Sequence, residues 1–211
     1  MLKKVVKYLV AIIVIGVIVD NSFYIRKLSE VKAASVSKKF NAEKYSETFW
    51  KQKLLPGLSK AIEINQLIDS LKRQPEKAFG TYGHALGIGN LKYFLVKGKG
   101  KITSIDENDV SGLIKTDHEQ NLIKIATEFV YGNDVRDASG LINMNEFDNT
   151  MDFNNVSAGI NKIIRTKVLP PFKAEAKKDD VFEFVGAMEL NQKHLNLNNI
   201  EVTPIELKII K

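Results

Sequence analysis

The chemistry this chain can offer is concentrated between Tyr131 and Asn155, a stretch with five acids, one arginine and six asparagines. Arg136 is the only base between Lys124 and Lys162. A buried, unpaired arginine is costly, so its expected partner is Asp134 or Asp137. Amides and carboxylates side by side suit the hydroxyls of a sugar. Asn133, Arg136, Asp137, Asn154 and Asn155 are therefore the expected ligand-binding groups. The same residues have a structural reading, because Asn and Asp side chains also bond the local backbone and can satisfy a loop by themselves.

Other chemistries find less support. Asp148, Asp152 and Asn154 have part of a calcium-loop spacing. However, the glycine at the sixth position is missing, and Gly159 stands where the bidentate glutamate belongs. His84, His118 and His194 are far apart and fit no metal-binding spacing, and no metal or cofactor is expected. Gly83, Gly87 and Gly89 precede a strand, whereas a phosphate site needs strand, glycine and helix in that order. No nucleophile motif appears. Paired carboxylates such as Asp137 with Asp152 or Glu189 leave a carbohydrate-active enzyme as the alternative. The leading expectation is a protein that is not an enzyme.

The elements that must position these residues follow from hydrophobic period. Ser29 to Leu55 lacks Gly and Pro and reads as helical, and Pro56-Gly57 breaks it. Leu58, Ala61, Ile62, Ile64, Leu67, Ile68 and Leu71 then mark an amphipathic helix. Pro75 can open a last short helix. Strands are expected at 91–105, 110–116 and 122–131, the first bulged or bent at Gly98 and Gly100, the third with Ile123, Ile125, Thr127, Phe129 and Tyr131 on one face. A polar loop follows, then a helix over 155–167 stopped by Pro170-Pro171. Two more strands are expected at 179–190 and 200–210, with Pro204 marking an edge or bulge. The order β-β-β-α-β-β, with a long first strand, predicts an α+β chain ending in a five-stranded OB-like barrel. The expected division is a membrane segment at 1–27, a helical stalk and pack at 28–80, and the barrel at 81–211.

Composition narrows the function classes. The 211 residues carry 31 bases against 25 acids, a net charge of +6, and no cysteine. Residues 1–27 supply five of the bases and one acid, so the remainder is nearly neutral. That argues against a nucleic-acid surface, and no nucleic-acid partner is expected. Without cysteine there is no disulfide scaffold, thiolate metal site or thiol nucleophile.

Lys3, Lys4 and Lys7 precede an uncharged apolar run from Tyr8 to Val19. A cleaved signal peptide wants small residues just beyond such a run, and Val19-Asp-Asn-Ser-Phe23 fits poorly. The expectation is an uncleaved signal anchor, with the lysines on the cytoplasmic side and the rest exported. A buried core helix is disfavoured by the lysine cluster. The chain is thus expected to cross the bacterial inner membrane once, with its C-terminal domain in the periplasm.

Several runs carry a resemblance to a known family: Tyr131-Gly-Asn-Asp-Val-Arg-Asp-Ala-Ser-Gly-Leu-Ile142, Phe147-Asp-Asn149, Asp152-Phe-Asn-Asn-Val-Ser157, Val168-Leu-Pro-Pro171 and Phe184-Val-Gly-Ala-Met-Glu-Leu-Asn191. Leu54-Leu-Pro56 and Val96-Lys-Gly-Lys-Gly100 add to it. The chain resembles the bacterial predicted periplasmic lipoproteins of domain-of-unknown-function family 2291 over most of residues 30–210. The resemblance implies no established activity. Genes of such proteins often lie beside those of sugar ABC transporters, which implies an accessory role in sugar uptake, with a transporter or another envelope protein as partner and a sugar as ligand. A lipoprotein needs a cysteine after its signal, and none of these 211 residues is one; a membrane helix is expected to replace the lipid.

Overall fold

Five strands close on one another in a ring. β2 (Leu91–Ile105) pairs antiparallel with β3 (Asp109–Lys115), and β3 with β4 (Gln120–Ala126). β4 pairs parallel with β6 (Ile200–Ile210), β6 antiparallel with β5 (Val181–Asn191), and β5 returns to β2 over eleven residue pairs. A two-residue strand β1 (Ile62–Glu63) adds in parallel to β2 at Val96 and Lys97. The computed structural model describes residues 6–8, 27, 40–115 and 120–210. Of the expected anchor at 1–27 only residues 6–8 and 27 are described, and of the expected helical stalk and pack at 28–80 residues 40–80 are. Among those described, no helix is long and apolar enough to cross a membrane. Asn41–Lys211 forms one compact unit.

Alternation fills the barrel. Phe182, Phe184, Met188 and Leu190 on β5 turn inward with Phe94, Val96 and Ile102 on β2, Ile123 and Ile125 on β4, and Val202 and Ile205 on β6. Each such side chain contributes about 1.5–3 kcal/mol when fully buried. Gly98 and Gly100 have a different role from the one expected. The β2–β5 register runs unbroken past both, and the slip in β2 comes later, between Ile102 and Ser104. These glycines make room for rings: a Cβ at 100 would lie 2.9 Å from the Phe182 ring, and one at 98 would lie 2.8 Å from Ile64 and 3.3 Å from the Phe184 ring. Pro204 sits opposite Gly186, where the β5–β6 register slips. β6 has a strand on either side, so it is not an edge.

β4 is shorter than its periodicity predicts. The amides of Thr127 and Glu128 both donate to the carbonyl of Asn108, and that turns the chain out of the sheet. Phe129 and Tyr131 consequently point to solvent instead of continuing the face of Ile123 and Ile125.

The helices also depart from simple periodicity. α1 (Ala42–Phe49) is capped by Asn41, and a π turn (Trp50–Leu54) leads into the helical turn Leu55–Gly57 and a 3-10 turn, Leu58–Lys60. Pro56 lies in a first turn, where its missing N–H costs nothing, so the helical path continues past it to Lys60. The Leu58–Leu71 pattern is not one helix: β1 interrupts it, and α2 (Ile64–Arg73) buries Ile64, Leu67, Ile68 and Leu71. α3 (Pro75–Tyr82) follows, and its Phe79 packs edge-on against Phe94 of β2 with ring centres 5.4 Å apart.

Within the expected polar loop the chain forms α4 (Asp134–Ser139) and a 3-10 turn, Met144–Glu146. α5 (Thr150–Ile163) starts five residues earlier than expected, because Asn149 caps it by accepting from the Asp152 amide at 2.8 Å. Pro170 and Pro171 do not end the helical run. A π turn (Ile164–Val168) intervenes, and the prolines fall in the first turn of α6 (Leu169–Glu175). α1 crosses α5 closely: Ser46 Oγ donates to the Val156 carbonyl at 3.1 Å, and a Cβ at Gly159 would overlap the Ser46 side chain.

Candidate functional site

α4 is a six-residue helix whose residues 135–139 are all buried. Asn133 precedes it, and Gly140 ends it in the left-handed conformation at φ 62°. A short helix pressed on a barrel must find partners for any charge it buries. Arg136 finds three. Its Nε donates to Asp137 Oδ1 at 2.6 Å and Nη2 to Asp137 Oδ2 at 3.2 Å. Its Nη1 donates to Asn154 Oδ1 at 3.2 Å and faces the Phe153 carbonyl at 3.4 Å. The guanidinium also lies 3.7 Å from the centre of the Phe153 ring. Only 4% of Arg136 and 7% of Asp137 is exposed, so these contacts substitute for water.

Asp134, two residues and about half a turn before Arg136, points the other way. Thr203 of β6 donates to its Oδ2 at 3.1 Å. Burial pushes its carboxyl up to about 6, and the charges of Glu189 and Glu201 add to the rise, while the Thr203 bond opposes it. Tyr93 of β2 is half-buried near the same group; partial burial and a bond to Glu189 push its phenol well above the ordinary value. Of the two acids expected to pair with Arg136, Asp137 does so and Asp134 does not.

Beside α4 lies an open cleft of about 480 Å³, lined by His84, Leu86, Asp137, Leu141, Asn143 and Glu146 among others. A smaller hollow of about 180 Å³ shares His84, Gly140 and Leu141 with it and runs on toward Lys60, Tyr82 and Leu95. Two backbone bonds fix one wall, His84 N–H to the Tyr93 carbonyl at 2.8 Å and Tyr93 N–H to the His84 carbonyl at 2.9 Å. The opposite wall is the chain leaving α4. The His84 ring rests on Gly140, where a Cβ would stand 2.9 Å from both its Cε1 and its Nδ1. Glu146 accepts from the Asn143 amide at 3.2 Å and from the Tyr45 hydroxyl at 3.4 Å, holding the far rim. The cleft is thus lined by the His84 imidazole, the Glu146 carboxylate and the Asn143 amide, with Leu86, Leu141 and Ile142 between them, while the Asp137 carboxylate on its wall is already held by Arg136.

The structure brings three of the five expected site residues together: Arg136, Asp137 and Asn154. Asn133 is half-buried at the start of α4, and Asn155 is exposed on α5. Of the calcium-like residues, Asp152 is held by Asn149 Nδ2 at 2.8 Å and Asn154 by Arg136. Among the described residues no three His, Cys, Asp or Glu side chains converge as metal ligands. His118 lies outside the described residues, and His194 is exposed in the turn between β5 and β6. Sequence reasoning missed His84, Asn143 and Glu146. The helix itself had a local signal, Asn133 before and Gly140 just after a run of six residues. The approach of His84, more than fifty positions away, had none.

Residues 12–208 match the profile of a family described as "Predicted periplasmic lipoprotein (DUF2291)". No curated protein matches the chain. Among solved structures, the chain is similar to an OB-fold protein from Thermotoga maritima at 22% identity, with a TM-score of 0.73. The match covers 82% of this chain and 100% of that one, and at this identity it shows the fold alone. The closed ring of strands described above is that fold. The chain belongs to the predicted periplasmic lipoprotein family.

Proposed function

We propose that this family member is a non-enzymatic binding protein of the cell envelope, an accessory to a sugar ABC transporter, and that the cleft beside α4 takes the sugar. The observation that carries the reading is the cleft: its size suits a single sugar residue, and its polar groups are positioned in advance by α4 and the His84–Tyr93 bridge. Arg136 occupies both oxygens of Asp137, which supports a role in recognition over one in proton transfer. The basic start and apolar run of residues 1–27 support a single-pass anchor in the inner membrane, with the barrel in the periplasm. OB barrels do accommodate oligosaccharides, although fold alone assigns no ligand.

A thermal-shift panel of monosaccharides and disaccharides tests the cleft, since a ligand that binds only the folded state raises its stability. At least one sugar is expected to raise the Tm of the wild type and not that of Asn143→Ala. No shift across the panel sinks the sugar reading. Co-purification of the detergent-solubilised full chain tests the transporter link, which fails if no transporter subunit accompanies it.

A further inference from the structure

The α4 cleft is the first of three hollows in a row. The smaller one beside it shares Thr81 and Tyr82 with a third, of about 240 Å³, in the corner between α2 and α3. Their order follows α3: His84, two residues past its end, lines the first two, and Thr81 and Tyr82, in its last turn, line the second and third. From Lys77 to Tyr82 the helix rises about 8 Å, so the row has room for more than one sugar residue. Charge changes along it. Glu146 and Asp137 line the cleft, and Arg136 already holds Asp137. No Asp or Glu lines the other two hollows; apart from the His84 imidazole, their ionisable side chains of full positive charge are Lys60 in the second and Arg73 and Lys77 in the third. These cations come from three elements, the Leu58–Lys60 turn, α2 and α3, and among the described residues none of them is in an ion pair. Glu76, next to Lys77 in sequence, lines none of the three hollows. Glu63 and Asp69 line a fourth, which Ser70 and Arg73 also border, so the acid-free stretch ends at Arg73. The hydroxyls of Thr81 and Tyr82 make no hydrogen bond among the described residues and are free to meet a ligand.

We infer that the ligand of the α4 cleft is an acidic oligosaccharide, its carboxylate-bearing units lying along α3 against Lys60 and Lys77, with Arg73 at the end. This ligand class rests on the sugar reading of the cleft and narrows it. Ammonium and guanidinium groups without partners answer carboxylates. Free hydroxyls answer those of a sugar. Ile62, Leu95 and Ala78 put apolar surface between the polar groups. A neutral sugar would use the cleft and leave the cations idle. Each exposed cation contributes modestly, so the row of them sets the preference for acid over neutral.

Calorimetry on the detergent-solubilised full chain tests it with di- and trisaccharides in matched pairs. Oligogalacturonides, oligomannuronates and glucuronate-containing disaccharides are each titrated beside their methyl esters, which keep the chain and remove the charge. Neutral di- and trisaccharides and a triglutamate peptide complete the panel. At least one acid is expected to bind several-fold more tightly than its ester at low salt, and to lose that margin at high salt. Lys60→Gln, and Arg73→Gln with Lys77→Gln, are expected to bring the acid down toward its ester, while Lys77→Arg keeps the margin. Asn143→Ala, in the cleft itself, is expected to weaken acid and ester alike. If neutral sugars bind and no acid exceeds its ester, the acidic ligand is overturned and the sugar reading stands; if no saccharide binds, both fall. A margin that survives removal of all three cations also overturns it. Triglutamate binding as tightly as the best acid assigns the row to acidic peptides instead.

Discussion

Arg136 grips both carboxylate oxygens of Asp137, the residue that follows it, at 2.6 and 3.2 Å. Neighbours on a helix face different directions, so such a fork needs the arginine to fold back along its own turn. The Phe153 ring under the guanidinium and Asn154 beside it provide the surface on which it does so.

Arg136→Ala leaves Asp137 buried without its partner and is expected to destabilise the domain by about 3–5 kcal/mol. Arg136→Lys is expected to recover little, because an ammonium cannot fork or stack in the same way. Urea titration of the two variants, with Asp137→Ala and the double variant to close the cycle, measures the coupling. If Arg136→Ala unfolds at the wild-type midpoint, the fork has no structural weight.

Asp134 predicts a pH dependence of known sign. The folded protein keeps its proton to about pH 6, the unfolded chain only to 3.8. Stability therefore falls as pH rises between those values and is level above them. With about 1.4 kcal/mol per unit, and a reduction for its partial exposure, the cost at pH 7 is about 1–2 kcal/mol. Asp134→Asn should be more stable than wild type by that amount at pH 7 and equal to it below pH 4. Paired urea midpoints at the two pH values decide the point, and an equal gap at both would contradict it.

Gly140 meets two demands at once, a left-handed φ of 62° and the His84 ring against its Cα. Gly140→Ala is expected to cost about 1–3 kcal/mol in strain and to displace His84 from the cleft wall. The histidine's proton resonances in NMR should move with the fall in Tm. An unchanged His84 environment would show that the ring does not rest on this glycine.

Gly159→Ala forces α1 away from α5, because the new methyl meets Ser46. A loss of about 1–3 kcal/mol is expected, as for other overpacked contacts. Adding Ser46→Gly should return part of it despite the lost bond to Val156. If the double variant is simply the sum of the singles, the two residues do not share the crossing.

The fragment 81–211 keeps all five barrel strands and α4 to α6 but loses α1, α2 and all but the last two residues of α3. Phe94 would lose Phe79, and Gly98 would lose Ile64, exposing apolar surface on β2. The fragment is expected to bind the dye ANS and to melt well below the full chain. Equal Tm and no dye binding would show that the barrel completes its core alone.

Alternating residues such as Phe182, Phe184 and Met188 were enough to show the strands, and the order of strands around one helical segment was enough to show an OB-like barrel. Both signals are local: a period of two belongs to the strand itself, whatever it packs against. The charge of Arg136 likewise made an acidic partner necessary and narrowed it to two. What the sequence could not show depended on which distant groups meet. Gly98 and Gly100 looked like a bend until the Phe182 and Phe184 rings were seen lying across them. Pro170 and Pro171 looked like a stop until a π turn moved them into a new first turn. Asp137 rather than Asp134 takes Arg136 because Thr203, far along the chain, draws Asp134 toward β6. The cleft itself exists because β2 carries His84 back to Gly140. Contacts across such separations leave no periodic trace, since closing the barrel, and not any neighbouring residue, brings them together.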